Sequence, residues 1–198
     1  MSAPIKSISV NKVFLVNPSD NKSVTEFGHG NLAAICFLKD TKITLSDGSQ
    51  KSIDKLSLKD EILTYNIKGL SELKNKELIC KYEVDNVNGE FSNSRIRNIW
   101  INPTDSYLVI NNTLNITKHH IIHFKRNNIY YFNYSENLKI GDELLNSKGE
   151  YESVESIEEI KESVNVYNFE LLKDQTYFAE NYLVHHYCKL CSGYSNII

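Results

Sequence analysis

One sequence pattern occurs twice in this chain. It reads "DKLSLKDEIL" at residues 54–63 and "ENLKIGDELL" at residues 136–145. Each copy carries an Asp-Glu pair, Asp60-Glu61 or Asp142-Glu143, followed by apolar residues. A turn that leads into a strand can arise twice independently, and the sequence leaves that reading open. The alternative is a duplicated β subdomain, which predicts two halves related by a pseudo-two-fold axis, with their ends meeting at one centre.

The segments around the two copies are typical of β-strands. Short runs alternate polar with apolar or β-branched residues, among them "TKITL", "EILTYN", "IRNIWI", "NIYYFNY" and "NVYNFELL". Turn residues such as "SDGS", "VNGE" and "SKGE" separate them. Helical turns are expected only at "SIDKLSL" and "VESIEEIKES". We therefore predict a compact all-β fold.

Composition narrows the class of partner. A chain of 198 residues with 41% hydrophobic residues suits one domain with an appendage. A net charge of -3 gives no basic face, so we expect no nucleic acid as a partner. No run approaches the roughly 18 apolar residues of a membrane span, so we expect no membrane contact either. The expected state is a monomer without a cofactor.

The character of the sequence changes near residue 36. Polar turns such as "NPSDNKS" and "GHGN" precede that position, and regular strand-like runs follow it. We expect an N-terminal flanking segment at residues 1–35, a domain at residues 36–187 and a C-terminal tail at residues 188–198.

Three motifs follow one another within residues 36–187. Cys36 opens the first, "CFLKDTKITLSDGSQKSIDKLSLKDEILTYN". The second is "TKHH", which places His120 three residues after Thr117, and the third is "VNVYNFELLKDQTYFAENYLVHH". In this order they resemble the conserved blocks of Hint domains, the module shared by inteins, Hedgehog autoprocessing domains and bacterial intein-like domains. The resemblance implies a Hint/intein-type fold with duplicated β subdomains. Among inteins, the chain resembles a mini-intein, because residues 64–110 are too few to contain a homing endonuclease.

The resemblance also implies a chemistry. It predicts autocatalytic processing at the Ile35–Cys36 bond, in which the acyl group moves from the Cys36 nitrogen to its sulfur and forms a thioester. Cysteine suits this role because it is partly thiolate near neutral pH. His120 would protonate the leaving nitrogen, and Thr117 would hold that histidine or donate to the scissile region. The substrate is the chain's own N-terminal segment, each molecule reacts once, and an external thiol, amine or water is expected to take the acyl group.

The end of the domain departs from the intein pattern. His185 aligns with the penultimate histidine of inteins, but His186 stands where they carry the asparagine that cyclises. Tyr187 stands at the first flanking position, and a one-residue slip would put Cys188 there instead. Neither alignment supplies a cyclising amide, so we expect no normal asparagine cyclisation and no efficient splicing. His186 and Cys188 remain candidates for a secondary role.

Several alternatives stay open at this stage. Asn168 replaces the usual aspartate of its strand, and Gln175 lies near the place of a frequent histidine, so a degenerate Hint fold that serves as a structural or interaction module is one alternative. Another is a β domain that binds a metal through the tail "HHYCKLC". Cys188 and Cys191 would also suit a disulfide or a pair of inert thiols. His119 and His123 are expected to be structural, and we predict no metal site.

Overall fold

The computed structural model of the chain describes residues 12–15, 27–28, 35–70, 73, 76–80 and 82–186. It confirms the all-β class. The strands are β1 Lys12–Leu15, β2 Phe27–Gly28, β3 Phe37–Leu38, β4 Lys42–Thr44, β5 Gln50–Ser52, β6 Glu61–Ile67, β7 Glu83–Val84, β8 Gly89–Thr104, β9 Tyr107–Ile110, β10 Leu114–Ile116, β11 Ile121–Arg126, β12 Ile129–Tyr134, β13 Glu143–Leu145, β14 Tyr151–Ser153, β15 Ile157–Ile160, β16 Val164–Leu171, β17 Thr176–Ala179 and β18 Tyr182–His185. A short helix, α1, covers Lys76–Ile79, and 3₁₀ turns cover Ile53–Lys55 and Ser135–Asn137.

These strands form two antiparallel sheets of nine strands each. The first contains β15, β9, β10, β3, β16, β8, β1 and β2 in that order, with β6 also paired to β8; the second runs β14, β13, β11, β18, β17, β4 and β5, with β12 on β11 and β7 on β12. Strand β8 is 16 residues long, and it pairs with β6 along its first half and with β16 along its second half. The short β3 lies between β10 and β16, which fixes the position of the residue before it, Cys36.

The repeated sequence pattern corresponds to a repeated structure. In each copy a hairpin (β4–β5 or β11–β12) leads into a 3₁₀ turn, and the Asp-Glu pair then starts a strand, β6 or β13. Asp60 accepts a hydrogen bond from the N–H of Ser57, and Asp142 accepts one from the N–H of Lys139, both three residues earlier. The duplicated β subdomains expected from the sequence are thereby confirmed as part of the fold.

The expectation of a second helical turn was wrong. The segment "VESIEEIKES" contains strand β15, which pairs with β9 over Ile157–Ile160. Its glutamates favour a helix locally, but ladder hydrogen bonds to an otherwise open edge override a preference of a few tenths of a kcal/mol per residue. The first expected turn, at "SIDKLSL", is present as the 3₁₀ turn Ile53–Lys55.

Two packed clusters of side chains form the core. Phe37, Phe169 and Tyr177 lie in the larger cluster, and Phe132, Phe178 and Leu183 lie in the smaller one. Backbone pairing also joins β1 to β8, with Phe14 opposite Ile101. The boundary at residue 36 stays a prediction, but strands that precede it extend the first sheet. No helix in the described ranges is long and apolar enough to cross a membrane.

Candidate functional site

The peptide N–H and carbonyl of Cys36 are both bonded to Thr117. The N–H of Cys36 donates to Thr117 Oγ1 at 2.9 Å, and the carbonyl accepts from the Thr117 hydroxyl at 3.2 Å and from the Thr117 N–H at 3.0 Å. Both residues are almost fully buried. Pairing of β3 with β10 brings them together, because Phe37 lies opposite Ile116. Two residues that the motifs single out are therefore in direct contact although 81 positions separate them.

Two asparagines contact the Ile35 carbonyl oxygen and the Cys36 sulfur. Asn168 Nδ2 donates to the carbonyl oxygen of Ile35 at 2.7 Å. Asn102 Nδ2 lies 3.4 Å from Cys36 Sγ, where an N–H donor stabilises the negative charge of a thiolate. The asparagines lie on the neighbouring strands β16 and β8, since Val166 pairs with Asn102.

His120 follows Thr117 at the end of a tight turn. Its N–H donates to the Thr117 carbonyl at 2.9 Å, and its side chain is fully buried. The imidazole packs on the ring of Phe37, with 4.2 Å between centroids. Because Phe37 directly follows Cys36, this contact keeps His120 close to the scissile segment.

His185 lies at the end of β18, opposite Ile121 of β11. This register puts it beside His120, and its Nε2 is 3.1 Å from Gln175 Oε1. With a carbonyl oxygen as the partner, Nε2 carries the proton and Nδ1 carries the lone pair. Burial lowers the pKa of His185 well below its ordinary value, and the neighbouring His186 and His120 lower it further. His185 is therefore neutral at pH 7.

His186, where inteins carry asparagine, points into the protein. Its N–H donates to the Gln175 carbonyl at 2.8 Å, and its ring stacks at 6.0 Å from that of His185. Burial lowers the pKa of His186 to about 4, so this histidine is also neutral. Tyr187, Cys188 and Cys191 lie outside the described residues.

Tyr177 completes the surroundings of Cys36. Its ring packs at 6.2 Å from that of Phe37 and 4.5 Å from that of Phe169. Burial, with a smaller contribution from Cys36, raises the pKa of its phenol well above the ordinary value. Its hydroxyl is therefore neutral, and it has no hydrogen-bond partner within the described part of the chain.

Two further histidines among the described residues lie apart from this group. His119 is half-buried in the turn after Thr117, and its Nε2 lies 3.7 Å from Glu136 Oε1. His123 is buried on β11 and bonded to the Tyr151 hydroxyl at 2.9 Å. The two do not share a strand face, because β11 begins only at Ile121. Among the residues described, no group of three or more His, Cys, Asp or Glu side chains is arranged to hold a metal ion.

Sequence reasoning missed the contacts that four residues make at the candidate site. Asn168 and Gln175 were interpreted only as departures from a motif, while Asn102 and Tyr177 carried no signal. Their contacts depend on which residues face each other across β16, β8 and β17, and a strand pattern does not reveal this register. The only available signal was the polar Asn168 between apolar neighbours in "VNVYNFEL".

Comparison with solved structures gives a consistent set of relatives. The chain is similar to a bacterial intein-like domain from Clostridium thermocellum, with 21% identity, a TM-score of 0.59, and coverage of 77% of this chain and 98% of that one. It is also similar to an intein from a hyperthermophile (17% identity, TM-score 0.54, covering 77% and 99%) and to a DnaB intein from Synechocystis sp. PCC 6803 (14%, 0.52, 78% and 100%). No family model and no curated protein matches the chain.

Proposed function

We propose that this chain, which has the fold of inteins and bacterial intein-like domains, is a self-processing domain that acts on its own N-terminal flanking segment. The reaction is a shift of the Ile35 acyl group from the Cys36 nitrogen to the Cys36 sulfur. The resulting thioester is then cleaved by a thiol, an amine or water. The observation that carries this proposal is the 2.9 Å bond between the Cys36 N–H and Thr117 Oγ1, because it puts a side chain of the motif on the leaving nitrogen.

The first step needs a nucleophile beside its own carbonyl. Cys36 meets this need within one residue, so the attack has the entropic advantage of an intramolecular reaction. Asn102 stabilises the sulfur as a thiolate. The sulfur bonds to the Ile35 carbonyl carbon, and the carbonyl oxygen takes the electron pair.

Collapse of this intermediate breaks the bond between the Ile35 carbon and the Cys36 nitrogen. The nitrogen must then gain a proton, since an amide anion is a very poor leaving group. His120 is the proposed donor, because it is buried next to Phe37 and one turn from Thr117. Thr117 holds the nitrogen in place through its hydroxyl.

The test is thiol-dependent cleavage of the full chain, followed by intact mass. Dithiothreitol should release a fragment that ends at Ile35. Cys36→Ala should abolish release, and His120→Ala should slow it by roughly 10²–10⁴-fold, the usual contribution of a general acid. Cys80→Ser is the matched control, because Cys80 is partly buried and packs against the smaller core cluster, whereas Phe37 lies in the larger one. It should cleave at the wild-type rate.

Two outcomes would contradict the proposal. If the wild-type chain stays intact in thiol under conditions where it is folded, the domain is a degenerate fold that serves as a structural or interaction module. If Cys36→Ala is cleaved as fast as wild type, a contaminating protease is responsible.

A further inference from the structure

We infer that the side-chain amide of Asn168 is a catalytic group, which stabilises the negative charge on the Ile35 oxygen during the acyl shift. The inference rests on the proposed function and adds a residue to it. Asn168 was expected to weaken the machinery, because related strands usually carry an aspartate there. Its contacts point to a different role.

The orientation of the Asn168 amide is fixed at both ends. Oδ1 accepts the N–H of Phe169 at 2.8 Å, and Nδ2 donates to the Ile35 carbonyl oxygen at 2.7 Å. A flipped amide would place two donors together at Phe169 and two acceptors together at Ile35. The arrangement therefore admits one orientation, in which an N–H points at the scissile carbonyl.

This donor is in place before the reaction begins. Asn168 is 3% exposed, so water does not compete effectively for its amide. It also lies on β16 in the middle of the first sheet, where its own pairing with Trp100 of β8 and the pairing of the preceding Tyr167 with Phe37 of β3 hold the backbone. A rigid donor in a water-poor site stabilises a developing charge without reorganising, which is the property of an oxyanion hole.

The chemistry of the step shows what the amide does. Cys36 Sγ loses its proton and bonds to the Ile35 carbon, while the carbonyl π electrons move to the oxygen. The amide of Asn168 then donates to an oxyanion instead of a neutral carbonyl, and a hydrogen bond to a charged acceptor is roughly twice as strong. When the carbon–nitrogen bond breaks, its electron pair stays on the Cys36 nitrogen, which takes up one proton through His120 and so balances the one that the thiol gave up. The carbonyl reforms as a thioester, and no atom is gained or lost.

The kinetic test compares three asparagine variants of the full chain. Asn168→Ala removes the donor and should slow thiol-dependent cleavage by roughly 10²–10³-fold, as loss of one oxyanion donor usually does. Asn168→Leu keeps nearly the same side-chain volume but has no hydrogen-bond donor, and should cost at least as much. Asn146→Ala is the control: Asn146 is as buried as Asn168, at 4% exposure, but its Oδ1 caps the turn at residues 146–150. This control should cleave at nearly the wild-type rate.

A second measurement reports the hydrogen bond without relying on activity. The sequence contains only two Ile-Cys pairs, Ile35-Cys36 and Ile79-Cys80. Labelling isoleucine carbonyls with ¹³C and cysteine nitrogens with ¹⁵N therefore yields two signals in a carbonyl–amide correlation spectrum. In Asn168→Ala the Ile35 carbonyl signal should move upfield, as it does when a carbonyl loses a donor, while the Ile79 signal stays in place as an internal reference.

The outcomes separate this inference from the proposed function. The first outcome is a wild-type chain that fails to cleave while its Ile35 signal still shifts in Asn168→Ala. That result would confirm the hydrogen bond but overturn both the proposed function and the catalytic role of Asn168. Wild-type cleavage that persists at the same rate in Asn168→Ala or Asn168→Leu overturns the inference alone. An Ile35 signal that does not move in folded Asn168→Ala overturns it as well. Slow cleavage in both Asn168 variants, together with a shifted Ile35 signal and a fast control, supports it.

Discussion

His123 is a fully buried histidine outside the candidate site. It lies on β11, with its Nε2 bonded to the Tyr151 hydroxyl and its ring against Phe132 at 4.9 Å between centroids. Burial lowers its pKa from 6.5 to about 4, because the imidazolium cation is poorly solvated there. The folded protein therefore holds His123 neutral at pH values where an unfolded chain protonates it.

This difference predicts an acid-labile fold. Between pH 6.5 and 4 the unfolded state binds more protons at this residue, so stability is fully present above pH 6.5 and is lost as the pH falls. His123 should contribute a loss of about 3 kcal/mol across this window, while His185 and His186 act in the same direction. Urea unfolding of Cys36→Ala at several pH values measures the dependence, and His123→Phe should make it shallower. An identical slope in His123→Phe would contradict the assignment.

At the scale of elements, the two copies of the Asp-Glu loop differ in burial. Asp142 is 2% exposed and makes paired bonds of 2.6 Å to the guanidinium of Arg126. Asp60 has 15% of its side chain exposed and bonds to Lys51 at 2.9 Å. Each aspartate also caps the N–H three residues before it. The copies therefore share a geometry but not an electrostatic environment.

The difference in burial predicts unequal costs of substitution. Asp142→Ala leaves a partly buried guanidinium and a backbone N–H without their acceptor, and should lower the free energy of unfolding by roughly 3–5 kcal/mol. Asp60→Ala leaves Lys51 able to reach water, and should cost only about 1–2 kcal/mol. Urea unfolding in the Cys36→Ala background compares them directly. Equal costs would show that the loop geometry, which both copies share, dominates over the ion pair.

The sequence predicted where strands lie better than it predicted which strands pair with each other. Period-2 alternation located β6 and β16 most clearly, because alternate residues of these strands are buried against the core. It did not predict that β8 runs for 16 residues, since no alternation marks its first half, nor that β15 is a strand. At the site, Cys36, Thr117, His120 and His185 followed from motifs along the chain. The contacts of Asn102 and Asn168 depend on register between distant strands, which local pattern does not encode.

At the scale of the whole molecule, the expected Hint-type fold is confirmed. The fold brings the start and the end of the domain to one place, because Cys36 precedes β3, His120 precedes β11, and β11 pairs with β18. The chemical content of the two ends differs. The N-terminal end has a thiol, a donor to the Ile35 carbonyl oxygen and an acceptor for the Cys36 N–H, while the C-terminal end has two neutral histidines.

This asymmetry carries the last prediction, that the wild-type chain neither releases its segment after His186 nor joins its two flanks. Release in inteins needs a carboxamide nitrogen that closes a five-membered ring on its own backbone carbonyl. His186 has none, and an attacking water lacks the covalent proximity that contributes roughly 7–11 kcal/mol in well-oriented intramolecular reactions. The amide of Asn168 bonds the Ile35 carbonyl and that of Gln175 bonds His185, so neither replaces it.

The test is intact mass after long incubation of Cys36→Ala, which isolates the C-terminal step, with and without His186→Asn. The asparagine variant should release part of its C-terminal segment, since His185 already lies beside the new side chain. Release should stay partial, because the Nε2 proton of His185 is already donated to Gln175 Oε1. His186→Ala, which has no carboxamide, should release nothing. A ligated product of residues 1–35 and the tail in the wild-type chain would show that the end of the domain is aligned wrongly or that another side chain supplies the missing nucleophile.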